Sequence, residues 1–234
     1  MPSSRRRFLA AAGAAALAGV AGCSQPDTPT TTGGTTSTTT GPPHSADAAR
    51  FEASQVRELT DEHPPRLAAT LTNVGDEAFT LVCGFAPPFA VTTMEASAGD
   101  AELFCYPVGE DARRHVRGVD TNQTDTSTTP LPPDGRVDGC WRVVGSFATN
   151  AIAYTPTLAP DESASVAYDV YTYGSDACFP DGDYRASTEV SVSAGTTTGE
   201  RTASWTYGVT LALRDGSVSA VTARDVREVA RTDG

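Results

Sequence analysis

The chain has 234 residues, 20% charged and 39% hydrophobic, with 17 basic against 29 acidic side chains and a formal net charge of −12. So acidic a surface repels phosphate and excludes a nucleic-acid binder, while the length beyond residue 45 suffices for one domain with a real core. All 17 basic residues are arginine.

The first 22 residues are predicted to be an export signal. Arg5, Arg6 and Arg7 precede an apolar stretch from Phe8 to Gly22. At about 15 residues it is too short to cross a hydrocarbon core of ~30 Å. It fits the charged and apolar regions of a signal peptide instead. Ser4-Arg5-Arg6-Arg7-Phe8-Leu9 resembles the twin-arginine consensus, with Ala10 where lysine is usual. Val20-Ala21-Gly22-Cys23 resembles a lipobox, which implies lipidation of Cys23 and a membrane partner reached through that anchor. Residues 23–45 then form a tether. Thr28–Thr40 holds nine threonines in thirteen residues and nothing apolar to bury, so it is expected to stay disordered. The expected address is the outer face of the cell membrane.

From residue 46 to 234 the sequence reads as one domain of alternating strands. Strands are predicted over 51–59, 67–71, 79–83, 101–106, 140–144, 166–170, 184–192, 205–213 and 218–222. The clearest is Trp205, Tyr207, Val209, Leu211 and Leu213, all on one face. Asn73–Glu77 has turn composition, which predicts a hairpin between the segments on either side. No helical stripe follows residue 45, apart from a short helical turn expected over 223–230. Residues 107–139 read as a long polar loop, of the kind that is either functional or disordered. Seven to nine strands with polar turns predict an all-β, antiparallel β-sandwich.

Two short motifs give that sandwich an immunoglobulin-like character. Pro180-Asp181-Gly182-Asp183-Tyr184 resembles a tyrosine corner. Leu158-Ala159-Pro160-Asp161-Glu162-Ser163 resembles the strand-opening turn of immunoglobulin-like extracellular modules, with Asp161 where glycine is usual. Motifs of this kind also occur in the BsuPI-type intracellular proteinase inhibitor domain. Acidity, absence of lysine and abundant Thr, Ala and Asp resemble exported lipoproteins of halophilic archaea. Without Arg5–Arg7 the balance is 14 basic against 29 acidic residues, or −15. Hydrated carboxylates keep such a surface soluble in high salt.

Chemistry-bearing residues are few. Beyond Cys23 four cysteines remain, an even number in an exported domain, and none forms a C-x2-C or C-x4-C pair suited to zinc. Strand positions predict bridges Cys83–Cys105 and Cys140–Cys178, with Cys105–Cys140 as competitor. His44 lies in the tether, His63 in a His-Pro-Pro turn, and His115 is expected to be a solvated loop residue. There is no G-x-S-x-G, H-E-x-x-H, Walker or dinucleotide fingerprint. Residues 120–131 begin like a calcium loop but lack its sixth-position glycine and twelfth-position glutamate. No cofactor or metal is expected, and no catalytic residue is assigned. Asn122 in Asn122-Gln123-Thr124 is a glycosylation candidate. Phe85, Pro87, Pro88 and Phe89 form a stiff aromatic loop suited either to recognition or to plugging one end of the sandwich. The expectation is therefore a non-enzymatic surface lipoprotein that binds an envelope protein or glycan, or has a structural role. The rival is an exported protease inhibitor or hydrolase with its site in residues 107–139.

Overall fold

Alternation at period two is answered by antiparallel strands throughout the residues described by the structure, a computed structural model covering 45–119, 131–194 and 203–229. The strands are β1 (Ala49–Arg57), β2 (Arg66–Asn73), β3 (Phe79–Val82), β4 (Thr93–Ala96), β5 (Glu102–Pro107), β6 (Val116–Val119), β7 (Ser146–Thr149), β8 (Thr157–Leu158), β9 (Ser163–Tyr173), β10 (Gly182–Ala194), β11 (Ala203–Arg214) and β12 (Ser217–Glu228). A single helical turn, α1 (Glu110–Arg113), follows β5. The fold is an all-β, antiparallel sandwich.

Ten strands form one ladder in the order β1-β2-β9-β5-β4-β10-β11-β12, with β3 also on β10 and β8 beside β3. The ladder folds over so that the β1-β2-β9-β5 half packs its apolar face on the β10-β11-β12 half. Phe51 of β1 meets Tyr207 of β11 at 4.7 Å between ring centroids. The alternating set of Trp205, Tyr207, Val209, Leu211 and Leu213 is wholly buried, as are Leu67, Ala69, Leu71, Leu103, Tyr168 and Val170 opposite. Each such large side chain contributes roughly 1.5–3 kcal/mol by leaving water.

Both short motifs fold as their residues imply. The hydroxyl of Tyr184 donates to the carbonyl of Pro180 at 2.8 Å, making the tyrosine corner. In the turn before β9, Asp161 takes φ 64°, the left-handed conformation that suits glycine. Two central residues with positive φ, Asp215 and Gly216, join β11 to β12 as a two-residue hairpin loop requires.

The segments on either side of Asn73–Glu77 do not pair with each other. β2 is flanked by β1 and β9, whereas β3 lies on β10 and β8, so the connection crosses between the two halves. Both edges of β2 are occupied, which leaves no place for a hairpin partner. Buried Asn73 anchors that crossing. Its Nδ2 donates to Glu77 O and Leu158 O, and its Oδ1 accepts from Gly75 N. Residues 140–144 form isolated bridges rather than a strand, with Arg142 opposite Thr172 of β9. β12 continues to Glu228 where a short helical turn was expected, because pairing with β11 outweighs local propensity.

Candidate functional site: an arginine concavity at a strand bulge

Several sequence-predicted residues have structural rather than exposed roles. Phe85, Pro88 and Phe89 are buried and Pro87 is half-buried, so this loop plugs the sandwich and is not a recognition surface. Two core hydroxyls hold it, Tyr207 donating to Pro88 O at 2.5 Å and Tyr168 donating to Phe89 O. His115 is not solvated. It is buried, with Nε2 3.0 Å from the Tyr154 hydroxyl and Nδ1 facing the Asn150 amide. Cys23 and Asn122 lie outside the described residues, as do the signal and the tether up to residue 44.

Of the two expected disulfides the structure contains Cys140–Cys178, with Cα atoms 5.5 Å apart. Cys83 and Cys105 are free and buried instead. Cys83 follows β3 beside Tyr154, whereas Cys105 sits within β5 between β4 and β9, so the two belong to strands that do not pair. Burial pushes both thiols up to about 12.

Part of the long 107–139 loop is regular, with α1 and β6 within 107–119, while 131–139 are turns and bends at the surface. After α1, β6 pairs with β7, and the segment around Trp141 returns to the end of β9. Together they cover the outer face of β5 and β9 with a second aromatic layer. Phe104 meets Phe147 at 4.6 Å, Phe147 meets Tyr173 edge-on at 5.4 Å, and Arg113 lies over the Tyr106 ring at 5.5 Å. At its rim, buried Asp169 accepts from Arg57 at 2.6 Å and from Arg66 at 2.7 Å. The Asp169 hydrogen bond raises the Arg66 pKa further above its ordinary value.

The concavity with ligand-binding chemistry is on the other half. β11 places Thr206 and Gly208 on its outward face, alternating with the buried Trp205, Tyr207 and Val209. Opposite them on β12 stand Arg227 and Arg224, so two residues of β12, Asp225 and Val226, answer the single Tyr207 of β11. A bulge of this kind inserts one residue and re-aims the side chains beside it. In a regular strand, positions 224 and 227 would point to opposite faces. The bulge puts both guanidinium groups on the same one.

Gly208 makes the floor. A Cβ there would stand 2.5 Å from Arg224 Nη2 and 2.9 Å from its Nε, and would collide with the carbonyl oxygen of Ala186. Only glycine lets Arg224 lie flat across β11. Thr206, Tyr207, Ala223, Arg224, Asp225 and Arg227 line a concavity of about 370 Å³, near the lower end of small-ligand sites. Among the described residues neither Arg224 nor Arg227 has an ion-pair partner, while Arg50, Arg57, Arg66, Arg114, Arg136 and Arg214 each have one. Sequence reasoning missed this site. Its one signal was Gly208 within an otherwise bulky, alternating strand; the bulge that unites the arginines depends on pairing with β11.

Comparison with known families gives one match. Residues 3–131 match the model of a domain of unknown function, DUF8130. The chain belongs to this family. Nothing among curated proteins, and nothing among solved structures, matches it. The part that matches DUF8130 supplies β1 to β6, yet β2 and β5 pair with β9, and β3 and β4 with β10. Residues after 131 are needed to complete the ladder, and they also carry the arginine concavity.

Proposed function

We propose that this protein is an exported, lipid-anchored binding module on the outer face of the cell membrane. Cys23 carries the lipid, residues 24–45 are the tether, and the sandwich is displayed beyond it for an envelope partner. The twin-arginine-like leader, the lipobox-like Val20–Cys23 and the threonine-rich stretch support the address. The DUF8130 match starts at residue 3 and so takes in that leader. The disulfide Cys140–Cys178 fits an oxidising compartment. The all-Arg, acidic composition supports a halophilic envelope as its setting.

One observation carries the binding role. In a chain of net charge −12, two guanidinium groups with no ion-pair partner among the described residues share a hollow created by a bulge and an obligate glycine. Both are exposed and lie on one face of the sheet, where guanidinium groups offer forked donors to a negatively charged ligand. Expressing Cys23→Ser should move the protein from membranes to the medium or soluble fraction. In intact cells, crosslinking should capture an envelope component with the wild-type chain and lose it with Arg224→Gln/Arg227→Gln. Unchanged membrane attachment of Cys23→Ser refutes the anchor. Identical crosslinking by the double variant refutes the binding site.

A further inference from the structure

We infer that the concavity between Arg224 and Arg227 takes an acidic sugar, a hexuronate unit of an envelope glycan. This rests on the binding-module reading and assigns its ligand class. Arginine presents a planar fork of donors that matches a carboxylate with two parallel bonds, and Arg224 is held flat by the Gly208 floor. The same hollow is lined by the exposed Asp225 and half-buried Thr206.

Asp225 decides the ligand class. A carboxylate beside two guanidinium groups repels a dianionic phosphate or a densely sulfated chain. It also accepts hydrogen bonds from hydroxyl groups, and Thr206 can donate to or accept from them. The complementary ligand therefore carries one negative charge next to several hydroxyls. A protein carboxylate supplies the charge without the hydroxyls, and a neutral sugar supplies the hydroxyls without the charge. A sugar acid supplies both. With a concavity of about 370 Å³, the site matches a short stretch of glycan rather than a protein surface.

A second hollow on the same half extends the reading along a chain. Ala90–Thr93, Glu95 and Arg185–Ser187 line about 320 Å³ where β10 has lost β4 and not yet gained β3. In register, Arg185 stands opposite Thr210 and Thr210 opposite Thr222, while Ser187 stands opposite Gly208 and Gly208 opposite Arg224. Arg185 is thus two strands and one outward row away from Arg224, also exposed and without an ion pair among the described residues. Two strand spacings are ~10 Å and one outward row is ~7 Å. Successive acidic residues of an extended glycan can reach both guanidinium groups.

The test measures binding of trigalacturonate to the full chain in molar salt by calorimetry, beside its methyl ester, a sulfated disaccharide and inorganic phosphate. The expected result is saturable binding of trigalacturonate and about tenfold weaker binding of the ester. Arg224→Gln and Arg227→Gln should each weaken it about tenfold, equal to about 1.4 kcal/mol, with unchanged melting temperature. Asp225→Asn separates a sugar site from a bare anion patch. It should weaken trigalacturonate, because a hydroxyl acceptor is lost, and strengthen phosphate, because a repelling charge is removed. Equal binding of ester and acid, tighter trigalacturonate binding by Asp225→Asn, or no trigalacturonate binding overturns the inference. Crosslinking in cells then tells the two readings apart. Arginine-dependent capture of an envelope component without uronate removes only the ligand assignment, whereas capture that ignores the arginines removes the site itself.

Discussion

Replacing Asn73 should cost substantial stability, because it anchors the crossing from β2 to β3 between the two halves. The side chain is fully buried and makes three hydrogen bonds, to Glu77 O at 2.9 Å, Leu158 O at 3.0 Å and from Gly75 N at 3.0 Å. Their losses differ. Gly75 N keeps a second acceptor, Ala48 O at 3.2 Å, and Glu77 is exposed, so water can replace the lost donor there. These two contribute roughly 0.5 kcal/mol each. Leu158 is buried, but its carbonyl stays paired with Phe79 of β3 in the ladder, so losing the Asn73 donor costs roughly 1 kcal/mol. Asn73→Ala is therefore expected to destabilise by about 2 kcal/mol. Asn73→Asp should be worse, since it keeps the acceptor for Gly75 but turns a carboxylate oxygen toward two carbonyls. Urea unfolding, with the midpoint falling and the slope unchanged, is the measurement. An Ala variant within about 1 kcal/mol of wild type, or an Asp variant more stable than Ala, would refute this account of the crossing.

Asp161→Gly should stabilise the domain by up to about 1 kcal/mol, because relief of the left-handed φ exceeds the entropy glycine adds to the unfolded chain; a lower melting temperature contradicts it. Cys83 and Cys105 should resist alkylation in the native protein at pH 9 and react on unfolding. Since folding raises both thiols from 9.0 to about 12, the stability they contribute is fully present below pH 9 and is lost as the pH rises through about 12. Tyr168 and Tyr207, also raised by burial, add to that fall, and a flat stability between pH 9 and 12 speaks against buried free thiols. Reducing Cys140–Cys178, which spans 38 residues, should cost about 4 kcal/mol in the loop-entropy model; peptide mapping should show this bridge beside two alkylated thiols. Dilution from molar salt should lower the melting temperature as the acidic surface loses screening, and equal values at both salts count against that surface being halophilic.

Burial on one face writes itself into sequence as period two, and this is why β2, β10 and β11 were legible, whereas β5 and the end of β9, buried on both faces, read as short apolar runs. The motifs that depend on one or two residues were legible for the same local reason. Tyr184 finds Pro180 four residues back, and Asp161 stands where a positive φ is needed. Partner choice was not local. The hairpin expected across Asn73–Glu77 had the right turn residues, but its second strand had a longer neighbour in β10 and its first had two occupied edges. β6 and β7 were hidden because each is only four residues long, and Phe147 of β7 rests on Phe104 and Tyr173 of the main sheet, contacts far apart in sequence. His115 was misread for a similar reason, since Arg113-Arg114-His115 looks solvated until Tyr154 and Asn150 are brought to it.

The arginine site shows the same limit acting on function. Arg224-Asp225-Val226-Arg227 has no meaning as a strand motif, because alternation sends its two arginines to opposite faces. β11 and β12 keep their ladder on both sides of Tyr207, and the extra residue is pushed into a bulge there. Gly208 then lets Arg224 cross the neighbouring strand, a freedom no other residue provides without striking Ala186. A ligand site is thus built from a pairing mismatch of one residue and the absence of one side chain. Neither has a signature within a window of sequence, and each becomes visible only when β11 and β12 are set side by side. Gly208→Ala should therefore damage the fold and the site together, whereas Arg224→Gln leaves the bulge in place and removes the chemistry alone.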